Sequence, residues 1–275
     1  MQWAGDRNDL AYDHLEEHIA YVLEQPGPLL VGMGDYIDFA SPSNREALRE
    51  ARLYDTARKV IADATTTLVD DLFTRLLAPT YGKWAGLLKG HHHHPARTGT
   101  RLNADGIEQD IYEDSDVYLS RKLGARYLDE LAIIKLRWPN AARGETHGVN
   151  VLAFHGSGNS VFPWGPLNKL YRISPNFNAD ILLMGHQTKK AVGEYDWIDP
   201  VDDDVHGDRL DHRTRHLVGT GGWGRGYVEG RETYVSRDAL NPVALGQPII
   251  HIRPRYRVTT STGAHVWEPR ITVES

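Results

Sequence analysis

The sequence predicts an α/β fold. An amphipathic helical stretch is followed at once by an apolar run that stops at Gly-Asp, and three later apolar runs stop at Gly-His or His-Gly. Strands buried on both faces read as short continuous apolar runs, and in open α/β sheets ligands bind beyond the carboxyl ends of the strands. A third observation bears on what gathers there: the chain has 14 histidines against 3 methionines, and no cysteine.

Taken in order, Leu10, Leu15, Ile19, Val22 and Leu23 recur at helical spacing between Asp9, a helix-capping residue type, and Pro26. The segment "PLLVGMGDYIDF" predicts a buried strand that delivers Asp35 at its end. Residues 43–78 carry a helical pattern with a break expected at 63–66, inside "DATTT". "YGKWAGLLKG" predicts a strand, and the Gly, Asn and Asp content of "PARTGTRLNADGIEQD" predicts a mobile loop. A short helix over "DVYLSRKLG" precedes strands over "LAIIKLRWP" and "HGVNVLAFHGSG", the second ending in His155. "PLNKLYRI" predicts a helix and "ADILLMGHQTKK" a strand ending in Gly185 and His186. Residues 200–213 are expected to form a polar loop, and from 214 onward "RHLVGTGGWGRGYVEG", "QPIIHIRPRY" and "AHVWEPRITV" read as strands joined by turns. With no internal repeat and no linker composition, residues 1–275 are expected to form one domain.

Composition narrows the function classes. The absence of cysteine excludes disulfide scaffolding, thiolate metal sites and cysteine nucleophiles, so any metal must be held by His, Asp, Glu or Asn. No apolar stretch approaches the ~20 residues needed to cross a bilayer, and "MQWAGDRND" lacks the features of a signal peptide. A soluble, cytoplasmic protein with no membrane partner is expected. The net charge of -6 argues against a broad nonspecific nucleic-acid surface and leaves room for a local basic groove.

Asp35, His91, His155 and His186 all follow strand-like runs and can therefore converge on one sheet edge. A mixed carboxylate and imidazole set suits a divalent transition metal such as Mn, Fe, Co, Ni or Zn. Taken singly, each of these histidines reads as an ordinary surface residue; the joint placement points to a metal. "LLKGHHHHPARTG" lies in the chain interior behind a strand, which sets it apart from a purification tag.

These motifs resemble those of the calcineurin-like metallophosphoesterases, which run D-x-H, G-D-x-x-D, G-N-H-[DE], H-G and G-H-x-H. The chain offers "GDYID" (34–38), "GHHH" (90–93), "HG" (155–156) and "GHQT" (185–188) in the same order. The resemblance implies a β-sandwich flanked by helices in four αββα layers, and a metal-dependent phosphoesterase, a phosphodiesterase or nuclease, in which a metal-activated water attacks the ester. It implies that Asp35 bridges two ions, that His155 and His186 hold the second, and that His91 stands in for the family's Asn. His92 falls at the family's catalytic His, His93 at its acidic position, and His94 is a bystander. Beside the resemblance, Asp38 is a candidate for orienting the metal loop, and Lys189, Lys190 and Arg225 are candidates for contacting phosphate, against the plainer reading of solvated charges. In "GTGGWGRGY", Trp223 or Tyr227 could stack on a base of a nucleotide or nucleic-acid substrate, if the segment is more than turns.

Two departures fall on the family's first metal. Thr188 replaces the last His of G-H-x-H, and no D-x-H precedes Asp35; "DHLEEH" does not fit, and His14 and His18 read as helix surface. Either the chain uses a single ion, or a preceding strand carrying D-x-H is missing, which is the preferred reading because losing an interior strand exposes its neighbours' backbone groups. The competing functions are a catalytically impaired member that binds phosphorylated or nucleic-acid ligands, and a structural metal-binding domain.

Overall fold

The computed structural model describes residues 11–37, 54–140, 145–158, 160, 162–201, 209–230, 232–237, 239–258 and 265–275. It is a mixed α/β fold with one five-stranded mixed sheet, smaller two-stranded sheets and few helices. Among the described residues there is no barrel, and no helix is long and apolar enough to cross a membrane. The chain divides into two compact units, Met1–Glu130 with Trp223–Leu245, and Leu131–Gly222 with Gly246–Ser275.

In the first unit, α1 (Tyr12–Glu24) buries Tyr12, Leu15 and Ile19, the stripe expected from its spacing. Its N-cap position is Ala11, with no side-chain cap; Asp9 lies outside the described residues. His14 is exposed beside Glu17 at 3.8 Å, whereas His18 lies edge-on to Trp223, 5.2 Å between ring centres. α2 (Asp55–Leu72) runs unbroken through 63–66, against expectation. The threonines do not break it because the hydroxyls of Thr65, Thr66 and Thr67 donate to the carbonyls of Ile61, Ala62 and Asp63, one turn back, at 2.9 Å each.

β1 (Leu30–Gly32) pairs in parallel with β2 (Trp84–Leu87). The expected mobile loop after the histidines is instead an antiparallel hairpin, β3 (Pro95–Leu102) and β4 (Glu108–Asp114). Its turn is set by Asn103, whose Oδ1 accepts the amides of Asp105 and Ile107, and by Gly106 at φ 76. α3 (Ser115–Lys122) starts directly from β4, with Asp114 capping it through the Asp116 amide at 3.1 Å. Asp70 on α2 anchors α3 by accepting from the Tyr118 hydroxyl (2.8 Å) and pairing with Lys122 Nζ (2.7 Å). The core of this unit includes Leu15, Ile37, Val69, Leu72, Leu87 and Leu119, and also Trp223. At 3% exposure Trp223 is a core residue, which corrects its reading as a base-stacking platform. A helical turn, Tyr234–Arg237, belongs to the same unit.

The second unit is built on the sheet β5-β6-β7-β9-β8, with β5 (Leu131–Asn140), β6 (Glu145–Phe154), β7 (Ile181–Met184), β8 (Lys190–Val201) and β9 (Arg209–Thr220). β6, β7 and β9 are parallel; β5 and β8 are antiparallel edges. Residues 200–201 and 209–213, expected in a polar loop, extend β8 and β9, and 202–208 lie outside the described residues. The nine-residue helix Gly165–Ile173 packs Leu170 into a core with Leu152, Leu182, Met184 and Leu217. The strands expected after residue 245 form two further pairs, β10 (Ile249–Arg253) with β13 (Arg270–Glu274) and β11 (Tyr256–Val258) with β12 (His265–Trp267).

Candidate metal centre

Each unit ends a parallel strand pair in residues able to bind metal. In the first, the Leu88 amide donates to the Gly32 carbonyl at 2.8 Å, extending the β1/β2 pairing so that both strands leave along the same edge. The chain then turns sharply after β1, with Gly34 at φ 90 and Asp35 at φ 55. Asp tolerates the left-handed region better than most residues, but it is still a sparsely populated conformation that favours a functional explanation. On the β2 side, Gly90 lies directly against Asp35: a Cβ at residue 90 would collide with the Asp35 backbone and carboxylate. The glycine is there for space.

That close approach lets the Asp35 carboxylate organise the histidine loop. Its Oδ1 accepts the amides of His91 (2.7 Å) and His92 (2.9 Å), and its Oδ2 lies 3.9 Å from His92 Nε2. The Tyr36 hydroxyl donates to the Leu88 carbonyl at 2.8 Å; burial, then the neighbouring Asp116 carboxylate, raises the pKa of this phenol well above its ordinary value. His93 folds back on its own loop, Nδ1 donating to the Gly90 carbonyl at 2.9 Å, with Nε2 3.5 Å from Asp114. His94 is buried and its backbone pairs twice with Ser115, at 2.9 and 3.1 Å. A cavity of about 370 Å³ beside His93 is lined also by Pro95, Tyr112, Glu113 and Asp114.

Beneath the loop sits Asp116, in the first turn of α3, which no sequence motif marks. It is 1% exposed, its Oδ2 accepts the Gly90 amide at 2.8 Å, and its Oδ1 accepts from the Ser115 hydroxyl at 3.2 Å. Burial, set against the Gly90 hydrogen bond, pushes its pKa up to about 7. The folded chain therefore holds a proton that the unfolded chain releases near 3.8, so the contribution of Asp116 to stability falls as pH rises from about 4 to about 7 and is flat above. Each pKa unit is worth about 1.4 kcal/mol, which bounds the loss at ~4 kcal/mol. Asp116→Asn keeps an oxygen to accept the Gly90 amide, turns the contact with Ser115 into one in which the Asn NH₂ donates to the hydroxyl, and removes the titration. Urea unfolding in chelator at pH 5, 6, 7 and 8 should show the variant gaining on the wild type up to pH ~7 and then levelling; a constant difference would contradict this.

In the second unit, β6 and β7 are in parallel register, Phe154 opposite Met184, so His155 and Gly185-His186 leave along one edge. The His155 and His186 rings meet edge to face, 5.2 Å between centres at 78°. His155 is 2% exposed and His186 half-buried. Gly156 has φ 89, and His186, like Asp35, is left-handed at φ 58. Two of the four residues expected as ligands thus occupy strained backbone directly after a glycine at a strand end.

Within the second unit, His155 and His186 offer two neighbouring imidazoles that could hold a metal ion; within the first, His91 lies on the loop that Asp35 organises. The Asp35 Oδ1 is engaged by the two loop amides. Of the weaker candidates, Asp38 lies outside the described residues, and Arg225 is exposed on the first unit. Tyr227 is 52% exposed and donates its hydroxyl to the Leu240 carbonyl at 2.6 Å. In the second unit Lys189 is half-buried, which lowers its pKa; Lys190 opens β8, and Thr188 is exposed. Compared with protein-family models, curated proteins and solved structures, the chain matches none.

Proposed function

We propose that the chain is a metal-dependent phosphoester hydrolase of the calcineurin-like metallophosphoesterase type, acting on phosphodiesters, with the four-layer sandwich of that family. The observation that carries the reading is the His155–His186 pair at the ends of parallel strands, with His186 held in left-handed backbone. In the first unit, His91 is a further imidazole, on the loop organised by Asp35. Neutral imidazole nitrogens suit Zn, Mn, Fe, Co or Ni, so the donor chemistry fits such an ion. When bound, the ion polarises a phosphoryl oxygen and lowers the pKa of water.

The chain's own residues do the rest. Asp35 fixes the loop backbone through the His91 and His92 amides. His92 Nε2, 3.9 Å from Asp35 Oδ2, is a ring nitrogen placed to bind the phosphate and to hand a proton to the leaving oxygen. Asp116 keeps Gly90 in place, and Gly90 lets Asp35 approach the loop.

The test is hydrolysis of bis(4-nitrophenyl) phosphate by the full chain supplied in turn with Mn²⁺, Fe²⁺, Co²⁺, Ni²⁺ and Zn²⁺. Turnover should appear with at least one ion, vanish in EDTA and return when the ion is restored. Thr188, which takes the place of a family ligand, favours one alternative: a member that binds phosphorylated ligands without turnover. Tight metal binding with no hydrolysis under any of the five ions would select it.

A further inference from the structure

The second unit holds a group of side chains that the hydrolytic reading leaves unused. From His155 the chain continues through Gly156 (φ 89) and Gly158 (φ 72). The Lys169 ammonium donates to the Ser157 carbonyl and, at 3.2 Å, to the Ser157 hydroxyl. A Cβ at Gly158 would lie 3.1 Å from the same Nζ, so the glycine leaves the cation close to the loop backbone. An ammonium has three donors, and these contacts use two.

Lys169 belongs to the helix Gly165–Ile173, which begins with no side-chain cap. The Gly165 amide donates to the Phe162 carbonyl at 3.1 Å and Pro166 has no N–H, so Leu167 carries the first-turn donor without an acceptor inside the helix. Beside this helix start lies Gln187, the residue after His186. It is 6% exposed, its Oε1 is buried with no hydrogen-bond partner among the described residues, and it sits 3.1 Å from where a Cβ on Gly165 would be. A buried carboxamide oxygen without a partner costs free energy, and a carboxamide can turn to present its NH₂ instead of its oxygen. A cation, a helix N-terminus and an unsatisfied amide together suit an oxyanion.

We propose that the Gly156–Gly158 loop, Lys169, Gln187 and the start of the helix Gly165–Ile173 bind a phosphate group of the substrate other than the one attacked. The assignment to a substrate rests on the hydrolase reading, and it narrows the substrates to esters carrying a second phosphate, such as a nucleic-acid strand. The loop and Gln187 directly follow His155 and His186 in the chain, so the second phosphate is held next to those imidazoles.

Inorganic phosphate titrated calorimetrically into the full chain in EDTA tests the site without calling on any metal. The wild type should bind phosphate saturably, one per chain. Lys169→Met should weaken binding by ~10-fold or more, the order expected for losing a charge-assisted hydrogen bond, and Lys169→Arg should retain it. Equal binding by wild type and Lys169→Met, or no binding by the folded wild type, overturns the proposal. Hydrolysis is not part of the readout: phosphate binding through Lys169 in a chain that never hydrolyses diesters keeps the anion site and removes the hydrolase reading, and the reverse result does the opposite.

Discussion

Replacing His92 with asparagine should lower turnover of an aryl phosphodiester by roughly 10²- to 10⁴-fold, the range general acid catalysis contributes, while bound metal is retained. The effect falls on turnover because the backbone of His92, not its ring, carries the hydrogen bond to Asp35 Oδ1. The loop therefore keeps its fold in the variant, and the lost group is the one that would protonate the leaving oxygen. A leaving group of low pKa needs that proton less, so the loss should be larger for an alkyl ester than for 4-nitrophenol. Parallel measurement of metal content and kcat on both esters checks the assignment; unchanged kcat on both would remove His92 from the chemistry.

The strand ends were the most legible part of the chain. Apolar runs such as "ILLM" and "VLAF" are short, continuous and closed by Gly or His, and they do end parallel strands on one edge within each unit. The Gly-Asp and Gly-His pairs that flagged Asp35 and His186 coincide with left-handed backbone at both residues. The β3/β4 hairpin was illegible because its strands are largely exposed or half-buried, so no apolar alternation marks them. β8 carries a usable signal that went unread: Tyr195 and Trp197 are half-buried and alternate with exposed Glu194 and Asp196. The threonines of α2 looked like a break because their helix-compatible hydroxyl bonds to the preceding turn leave no trace in composition. Trp223 was misread from its glycine-rich flanks, which say nothing about where the indole packs.

The site divides in the same way. Asp35, His91, His155 and His186 could be picked out from motif order, because each is defined by its own strand end. Asp116, Lys169 and Gln187 could not. Asp116 matters through Gly90, 26 residues away in sequence, and Gln187 through its proximity to Gly165. Such pairs are created by packing between elements, and no local pattern encodes them.

The proposed function requires that imidazoles at strand ends hold a metal ion. Removing a ligand should cost more than the ~10- to 100-fold in affinity attributed to groups that merely orient ligands, so His155→Ala and His186→Ala should each weaken binding at least ~100-fold. His14→Ala, on the exposed face of α1, should not change it. His155 is buried, and its replacement also leaves a small void, so a folded His186→Ala chain, altered at a half-buried position, separates lost ligation from lost stability. The measurement is elemental analysis of the purified full chain and these three variants after equilibration with limiting Mn²⁺ or Zn²⁺. About one tightly held ion per chain is expected in the wild type and in His14→Ala, and close to none in His155→Ala and His186→Ala; equal metal content in all four would rule out metal binding at these residues.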